Sequence, residues 1–371
     1  MNITNHHFAV ELYAELRRRE ENLFFSPFSI SRAIGMVLLG ARNGTRAEIA
    51  AVLAPDDTNQ FEQANGAGER PEPGSVPTGP TFRTANALWV AADVSLLTTF
   101  VEDVLRGFGG LVATIDFTDP RGARDRINGW VAEQTEGNIP ELIGRGMPTP
   151  LTRLILTNAV HFKAAWSCPF PEARTERRPF RPVVGQDVVV DMMRVVGPFR
   201  LAVQDGVRVL TMPYRGGCVS MVVILPDAAG GLDAAEAQLN AGALGVWERA
   251  GETMRVDVAL PRFEAGSSLS LKDVLATLGM RRVFEPATAE LGGITPDPLF
   301  IGDVLHRSFI RVDEAGTEAA AATAVLAPRG RPAAAAVSFV ADQPFLYLIR
   351  EDPGGRILFM GRMVDPTMAP R

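Results

Sequence analysis

Lysine is nearly missing from this chain of 371 residues: Lys163 and Lys272 are the only two, so almost all of the 37 basic residues are arginine. Against 43 acidic residues they leave a formal net charge of −6. No Lys/Arg block or basic stripe occurs, so nucleic-acid and polyanion binding have no support. We read the arginine bias, with the Ala and Gly richness, as coding composition rather than a functional signal. Cysteine is as scarce. Cys168 and Cys218 are too few for a disulfide framework and lack metal-ligand spacing, which predicts two buried free thiols. No apolar run reaches the length of a membrane-spanning helix. The start, MNITNHHFAVELYAELRRREENLFF, has no basic segment followed by an apolar one, so no signal peptide is visible. A cytoplasmic location fits; an extracellular one would need another export route. Asn2-Ile3-Thr4 and Asn43-Gly44-Thr45 match the glycosylation pattern but matter only in a secretory compartment.

The residues of hydrolytic and metal chemistry are thin as well. There are four histidines, His6, His7, His161 and His306. No Gly-x-Ser-x-Gly elbow is present, and no cluster of His, Cys and Asp offers a metal site. Gly292–Pro298 reads as a turn, not a phosphate-binding loop. His306, in LHRSFIRV, reads as a hydrogen-bonded structural residue on a strand. We therefore expect no cofactor, no metal and no enzymatic activity.

What is there is apolar pattern. With 46% hydrophobic residues the chain can bury a sizeable core, and we read residues 1–371 as one domain. A helix is predicted around Phe8–Leu16. Leu23–Phe25 reads as a short buried strand, and Ser26-Pro27 as the cap and first turn of a helix to about Leu39. Asn65–Pro80, rich in Gly, Pro and polar residues, reads as a surface loop. Strands follow at Thr84–Val90, Ala113–Phe117 and Leu154–Trp166, the last so continuously apolar that both its faces should be buried. Helices fall around Leu97–Phe108, from Ile127 to a stop at Gly137 and Pro140, and within Leu269–Phe284, ending near Gly279. Hairpins are predicted at Val209–Asp227 and Phe345–Pro366. Helices and strands mix without strict alternation, which gives an α+β domain with large mixed sheets.

One stretch stands apart. Val312–Val325, VDEAGTEAAAATAV, is an acid-flanked glycine followed by almost nothing but Thr and Ala, and LAPRGRPAAAA comes next. Composition alone suggests an exposed helix or a disordered tract. Position argues otherwise, because strand-like His306–Val312 and Ser338–Ile349 pin both ends in a sheet. A loop of about 25 residues without structure of its own is uncommon and usually functional.

NLFFSPFSIS, TANALWV, NGWVAEQTEGNIPELI, LTNAVHFKAAW, VDMMR, LPRF, DVLATLGM and FLYLIRE…GRILFMGRMVDP, in this order and with that loop, resemble the serpin family over essentially the whole chain. The resemblance implies a fold of three β-sheets and about nine helices, the largest sheet central, with an exposed reactive-centre loop within residues 312–337. It implies a suicide substrate for a serine protease, held as a covalent acyl complex by a monomer of metastable fold. Ser26, Ser29, Asn158 and His306 resemble the cluster beneath the point where the central strands part, and Trp166 the residue where insertion begins. For Trp166 a plain core aromatic is equally compatible. The hinge would comprise Glu314, Gly316, Thr317, Glu318, Ala319, Ala320, Ala321, Ala322 and Thr323. On a strand, Thr317, Ala319, Ala321, Thr323 and Val325 would face the core and Glu318 would face water. No proline, bulky residue or inward charge obstructs that run. About 15 inserted residues at ~3.3 Å each would span roughly 50 Å, comparable with the diameter of a domain this long.

The bond to be cut is Arg329–Gly330 or Gly330–Arg331. Family spacing counted from Glu314 and Gly316 points to Gly330 as the scissile residue. A trypsin-like pocket favours Arg329, and Pro332 disfavours cleavage after Arg331. The first bond implies a trypsin-like target, the second an elastase- or subtilisin-like one. A serpin-fold binding or chaperone protein without inhibitory activity is the alternative.

Overall fold

The structure is a computed structural model that describes residues 5–17, 21–53, 79–228, 231–317, 335–352 and 354–370. It opens with helix His6–Leu16 (α1), strand Leu23–Phe25 (β1) and helices Pro27–Gly40 (α2) and Asn43–Leu53 (α3). Thr81–Ala91 (β2), Thr98–Phe108 (α4), Leu111–Ile115 (β3), Pro120–Gln134 (α5) and Leu154–Ala165 (β4) follow. The middle of the chain contributes Glu176–Phe180 (β5), Val188–Gln204 (β6), Val207–Pro213 (β7), Val219–Pro226 (β8), Leu232–Gln238 (α6) and Ala241–Ala250 (α7). Next come Glu252–Pro261 (β9), Phe263–Ser270 (β10), Lys272–Leu278 (α8), Asp303–Val312 (β11) and the two-residue Gly316–Thr317 (β12). Val337–Val340 (β13), Phe345–Glu351 (β14) and Ile357–Met363 (β15) close the fold.

Two hydrogen-bonded networks organise these strands among the described residues. One has six strands in the order β10-β11-β12-β4-β2-β3, and the other has nine. The nine-stranded network divides at β6: β5 pairs with its first residues, β9 with its middle and β7 with its last. That leaves a group of β5, β6, β9 and β13 and a second group of β7, β8, β14, β15 and β1, so the expected three sheets are present, two of them joined through β6. Eight α-helices lie among the described residues. The architecture is α+β.

Local chemistry sets the boundaries. The Ser26 hydroxyl caps α2 by accepting the Ser29 N–H at 3.0 Å, with Pro27 at the first helical position. Glu136 and Gly137, at φ 53° and 80°, turn the chain out of α5 where the Gly signal predicted. β4 is buried over its first nine residues, as its unbroken apolar run requires. Helix α2 packs between β4 and β15. One core cluster, with Phe8, Ile30, Trp89, Leu156 and Leu275, fills one part of the molecule. A second, more aromatic cluster, with Phe162, Trp166, Tyr214, Phe263, Tyr347 and Phe359, fills the other.

Two expectations need correction. The helix read from Leu269 to an end near Gly279 does end there, but it starts only at Lys272, because Leu269 and Ser270 pair with His306 and Leu305 as the end of β10. Both cysteines are free, but Cys218 is exposed and Cys168 only part-buried. Gly216 and Gly217 at positive φ make the tight turn from β7 to β8 that puts Cys218 at the surface. Of the loop read at Asn65–Pro80, only Gly79 and Pro80 are described.

Candidate functional site: a slot in the six-stranded sheet

Strands β4 and β11 are parallel neighbours from Asp303↔Ile155 to Phe309↔His161. Beyond that point they part. Into the gap goes β12, antiparallel to both, with Thr317 opposite Val312 on one side and Ala164 on the other. Gly316 pairs with Ala165. Glycine is required here by space: a Cβ at Gly316 would lie 2.1 Å from the Ala164 carbonyl oxygen and 2.7 Å from the Ala165 Cα, both backbone atoms that cannot yield. Thr317 is fully buried.

The turn leading into β12 is tied on every side. The Asp313 N–H donates to the Gly316 carbonyl at 2.9 Å, and Asp313 Oδ1 accepts the N–H groups of Ala315 and Gly316. The Trp166 indole N–H donates to the Asp313 carbonyl at 3.0 Å, and the Trp166 backbone N–H to Ala315. Trp166 also stacks on Tyr214, with ring centroids 4.4 Å apart and planes 8° from parallel. The Tyr214 hydroxyl is 2.7 Å from Thr317 Oγ1. Burial pushes the Tyr214 phenol far up, against a smaller opposing effect of the Thr317 bond, so it stays protonated. The Glu314 carboxylate accepts from Thr175 Oγ1 at 2.6 Å and from Arg262 at 2.7 Å. Burial alone would raise its pKa; the bonds from Arg262 and Thr175 outweigh that and hold it below the usual value.

Six residues further along the same strands lies a buried polar cluster. His306 and Asn158 are register partners, with His306 Nδ1 at 2.5 Å from Asn158 Oδ1. The other ring nitrogen, Nε2, accepts the Ser26 N–H at 3.2 Å. A backbone N–H can only donate, so the proton of the neutral ring sits on Nδ1 and is given to Asn158. The Asn158 amide donates to Ser29 Oγ at 2.5 Å and to the side-chain oxygen of Asn86. Ser26 Oγ completes the set by donating to the Leu358 carbonyl at 2.6 Å. Burial pushes the His306 pKa down to about 3. Every member is partnered, as buried polar groups must be, and none is placed to activate a nucleophile.

The site residues read from the sequence thus fall into two groups. Ser26, Ser29, Asn158 and His306 meet at one place, while Trp166 joins Glu314, Gly316 and Thr317 at the slot. Glu318, Ala319, Ala320, Ala321, Ala322, Thr323, Arg329, Gly330 and Arg331 lie outside the described residues.

A family model described as serpin (serine protease inhibitor) matches residues 3–366. The chain belongs to the serpin family. An uncharacterized serpin-like protein of Thermococcus kodakarensis is 40% identical, over 97% of this chain and 84% of that protein. Leukocyte elastase inhibitor of Bos taurus is 37% identical over 99% of each chain. Among solved structures, human thyroxine-binding globulin superposes with a TM-score of 0.87 at 28% identity, covering 98% of each chain. This serpin therefore has a relative named as an elastase inhibitor and a structural neighbour named for binding thyroxine. Among the described residues no helix is long and apolar enough to cross a membrane.

Sequence reasoning missed four participants: Asn86, Thr175, Tyr214 and Arg262. Asn86 carried a signal, being the one amide in an apolar strand, TANALWV. Thr175 lies in polar surroundings and Arg262 in the LPRF motif, but neither signalled this role, because it comes from a carboxylate more than 50 residues away in the chain.

Proposed function

We propose that this serpin is a single-use inhibitor of serine proteases that traps the acyl-enzyme by inserting its cleaved loop between β4 and β11. The observation that carries this reading is β12, already seated in the slot, with Thr317 paired to both neighbours and Gly316 to β4. Insertion would lengthen an existing strand rather than begin a new one. Where β4 and β11 now share one parallel ladder, each inserted residue would exchange it for two antiparallel ones. Antiparallel pairing is slightly stronger per residue, and the strand's own N–H and C=O groups leave water for the sheet. Continuing both registers six residues past Thr317 brings Thr323 opposite Asn158 and His306 together. A hydroxyl would then enter where those two side chains now bond to each other.

The chemistry belongs to the protease. Its serine attacks the Arg329 carbonyl, the new amine at Gly330 departs, and an ester joins Arg329 to the enzyme. Insertion drags that ester along the sheet; a shift of ~1 Å in the protease's catalytic groups is enough to slow deacylation on the order of 100-fold. Arg329 favours a trypsin-like target. Incubation with trypsin should give a complex that survives denaturing electrophoresis and release a C-terminal fragment beginning at Gly330. Complete cleavage without any complex would overturn the reading. A fragment beginning at Arg331 would move the bond by one residue and the target to the elastase or subtilisin class.

A further inference from the structure

Strand β5 runs between the two segments that flank the reactive-centre loop. At its start, the Thr175 hydroxyl donates at 2.6 Å to Glu314, three residues before Thr317. At its end, the Arg181 N–H donates at 2.9 Å to the carbonyl of Asp342, just past β13. Among the described strands β5 pairs with β6 alone, so its other edge is open. Exposed apolar side chains crowd this hairpin. Pro179 and Val189 are register partners, Val189 is 52% exposed, and Val183 and Val184 in the connection to β6 are 46% and 69% exposed. Arginine accompanies them. Arg177 makes no ion pair among the described residues, and Arg178 and Arg181 reach Glu176 and Asp187 only at 3.4 and 3.9 Å. Arg174 acts weakly on Asp257, whose two oxygens Arg194 already holds at 2.8 and 2.5 Å.

Charge and proline on an edge strand discourage stray pairing with other sheets. That role does not call for three exposed valines, nor for an edge tied to both flanks of the loop. Arginine beside exposed aliphatic surface is the composition of a docking face. Chain length says what docks. Arg329 stands eight residues before Val337, the first residue of β13, so their backbones lie at most about 28 Å apart. A serine protease domain of ~230 residues is about 45 Å across, while β5 spans only about 17 Å. A protease closed on the Arg329 bond therefore comes down on this side of the molecule. We propose that the β5–β6 hairpin is a second docking face for the target protease, fitting an acidic, partly apolar surface beside its active-site cleft. This rests on the loop being the protease's substrate. Steering by the arginines speeds encounter and leaves the trapping step alone.

The test follows the rate at which the intact chain is consumed by anionic and by cationic trypsin, which share a preference for Arg. Cleavage and trapping both consume it, so the rate reads docking even where no complex forms and the inhibitor reading fails. Arg174→Gln combined with Arg177→Gln should slow anionic trypsin roughly fivefold at low salt and leave cationic trypsin unslowed, an effect lost at about 1 M salt. Val183→Ser combined with Val184→Ser should slow both enzymes about threefold. All four side chains are exposed, so both variants should melt at the wild-type temperature. Arg121→Gln is the control for net charge. It lies at the start of α5, at the end of the six-stranded sheet opposite the slot, and should slow neither enzyme. An unchanged anionic-trypsin rate in either combined variant, or an equal loss in Arg121→Gln, would overturn the proposal.

Discussion

The two halves of the gap between β4 and β11 differ in how the strands are held. Over seven register pairs the strands touch directly, and the His306–Asn158 bond ties them from behind. At the other end two residues of β12 keep them apart, held by Tyr214, Trp166 and the Asp313 turn. The closed half is fastened by side chains that also bond to α2 through Ser26 and Ser29. The open half is fastened by the hinge itself. One region resists a new strand, and the other already contains its beginning.

The sharpest way to break this contrast is to charge the open end. Thr317 has no exposed surface, and its hydroxyl sits against a buried phenol. In Thr317→Arg a guanidinium would have to enter that site unpaired, at a cost on the order of 3–5 kcal/mol. The hinge should leave the slot and the loop should be cut without trapping. The stoichiometry of inhibition, measured by titrating trypsin activity, should rise more than tenfold. Unchanged stoichiometry would refute insertion.

The closed half is tested next. His306→Leu leaves the Ser26 N–H and Asn158 Oδ1 unpaired, each at about 1–3 kcal/mol, readable in urea unfolding. The same residue makes stability depend on pH. Native His306 stays neutral to about pH 3, while an unfolded imidazole takes up its proton near pH 6.5. The unfolded state therefore binds more protons in between, and stability falls as pH falls, by up to about 1.4 kcal/mol per unit. The window to read is roughly pH 6.5 to 5, above the carboxylate range. His306→Gln can keep an acceptor for Ser26 and a donor for Asn158, and should flatten the slope there. An unaltered slope would remove His306 as its source.

How much of this contrast the chain announces differs between the halves. The closed half was legible: Ser26-Pro27 declares a helix cap, and Asn158 and His306 are polar residues in apolar strands, which forces them to find partners. The open half was legible only along the chain, in Gly316 and the small residues after it. Its fastenings come from across the fold. Nothing near Tyr214 in sequence distinguishes it from an ordinary core phenol, and the LPRF motif marks Arg262 without saying what it bonds. Only the register that brings Ala165 beside Gly316, and β10 beside β11, assigns them. The depth of β12 is likewise a tertiary result, set by which side chains meet at the end of the slot.

Tyr214→Phe makes the smallest change and separates the halves most cleanly. The ring stays, so its stacking on Trp166 should survive. Only the hydroxyl goes, leaving Thr317 Oγ1 unpaired in a buried site, which costs about 1 kcal/mol. That loss falls on the residue that keeps β12 in place. Opening of the slot should become roughly fivefold more frequent, and the Trp166 amide, bonded to the Ala315 carbonyl, should exchange its hydrogen faster by that factor. Amides of the directly paired stretch, such as those of Asn158 and Phe309, should not change. Equal acceleration in both stretches would mean that the sheet opens as one unit and that the two halves are not separately fastened.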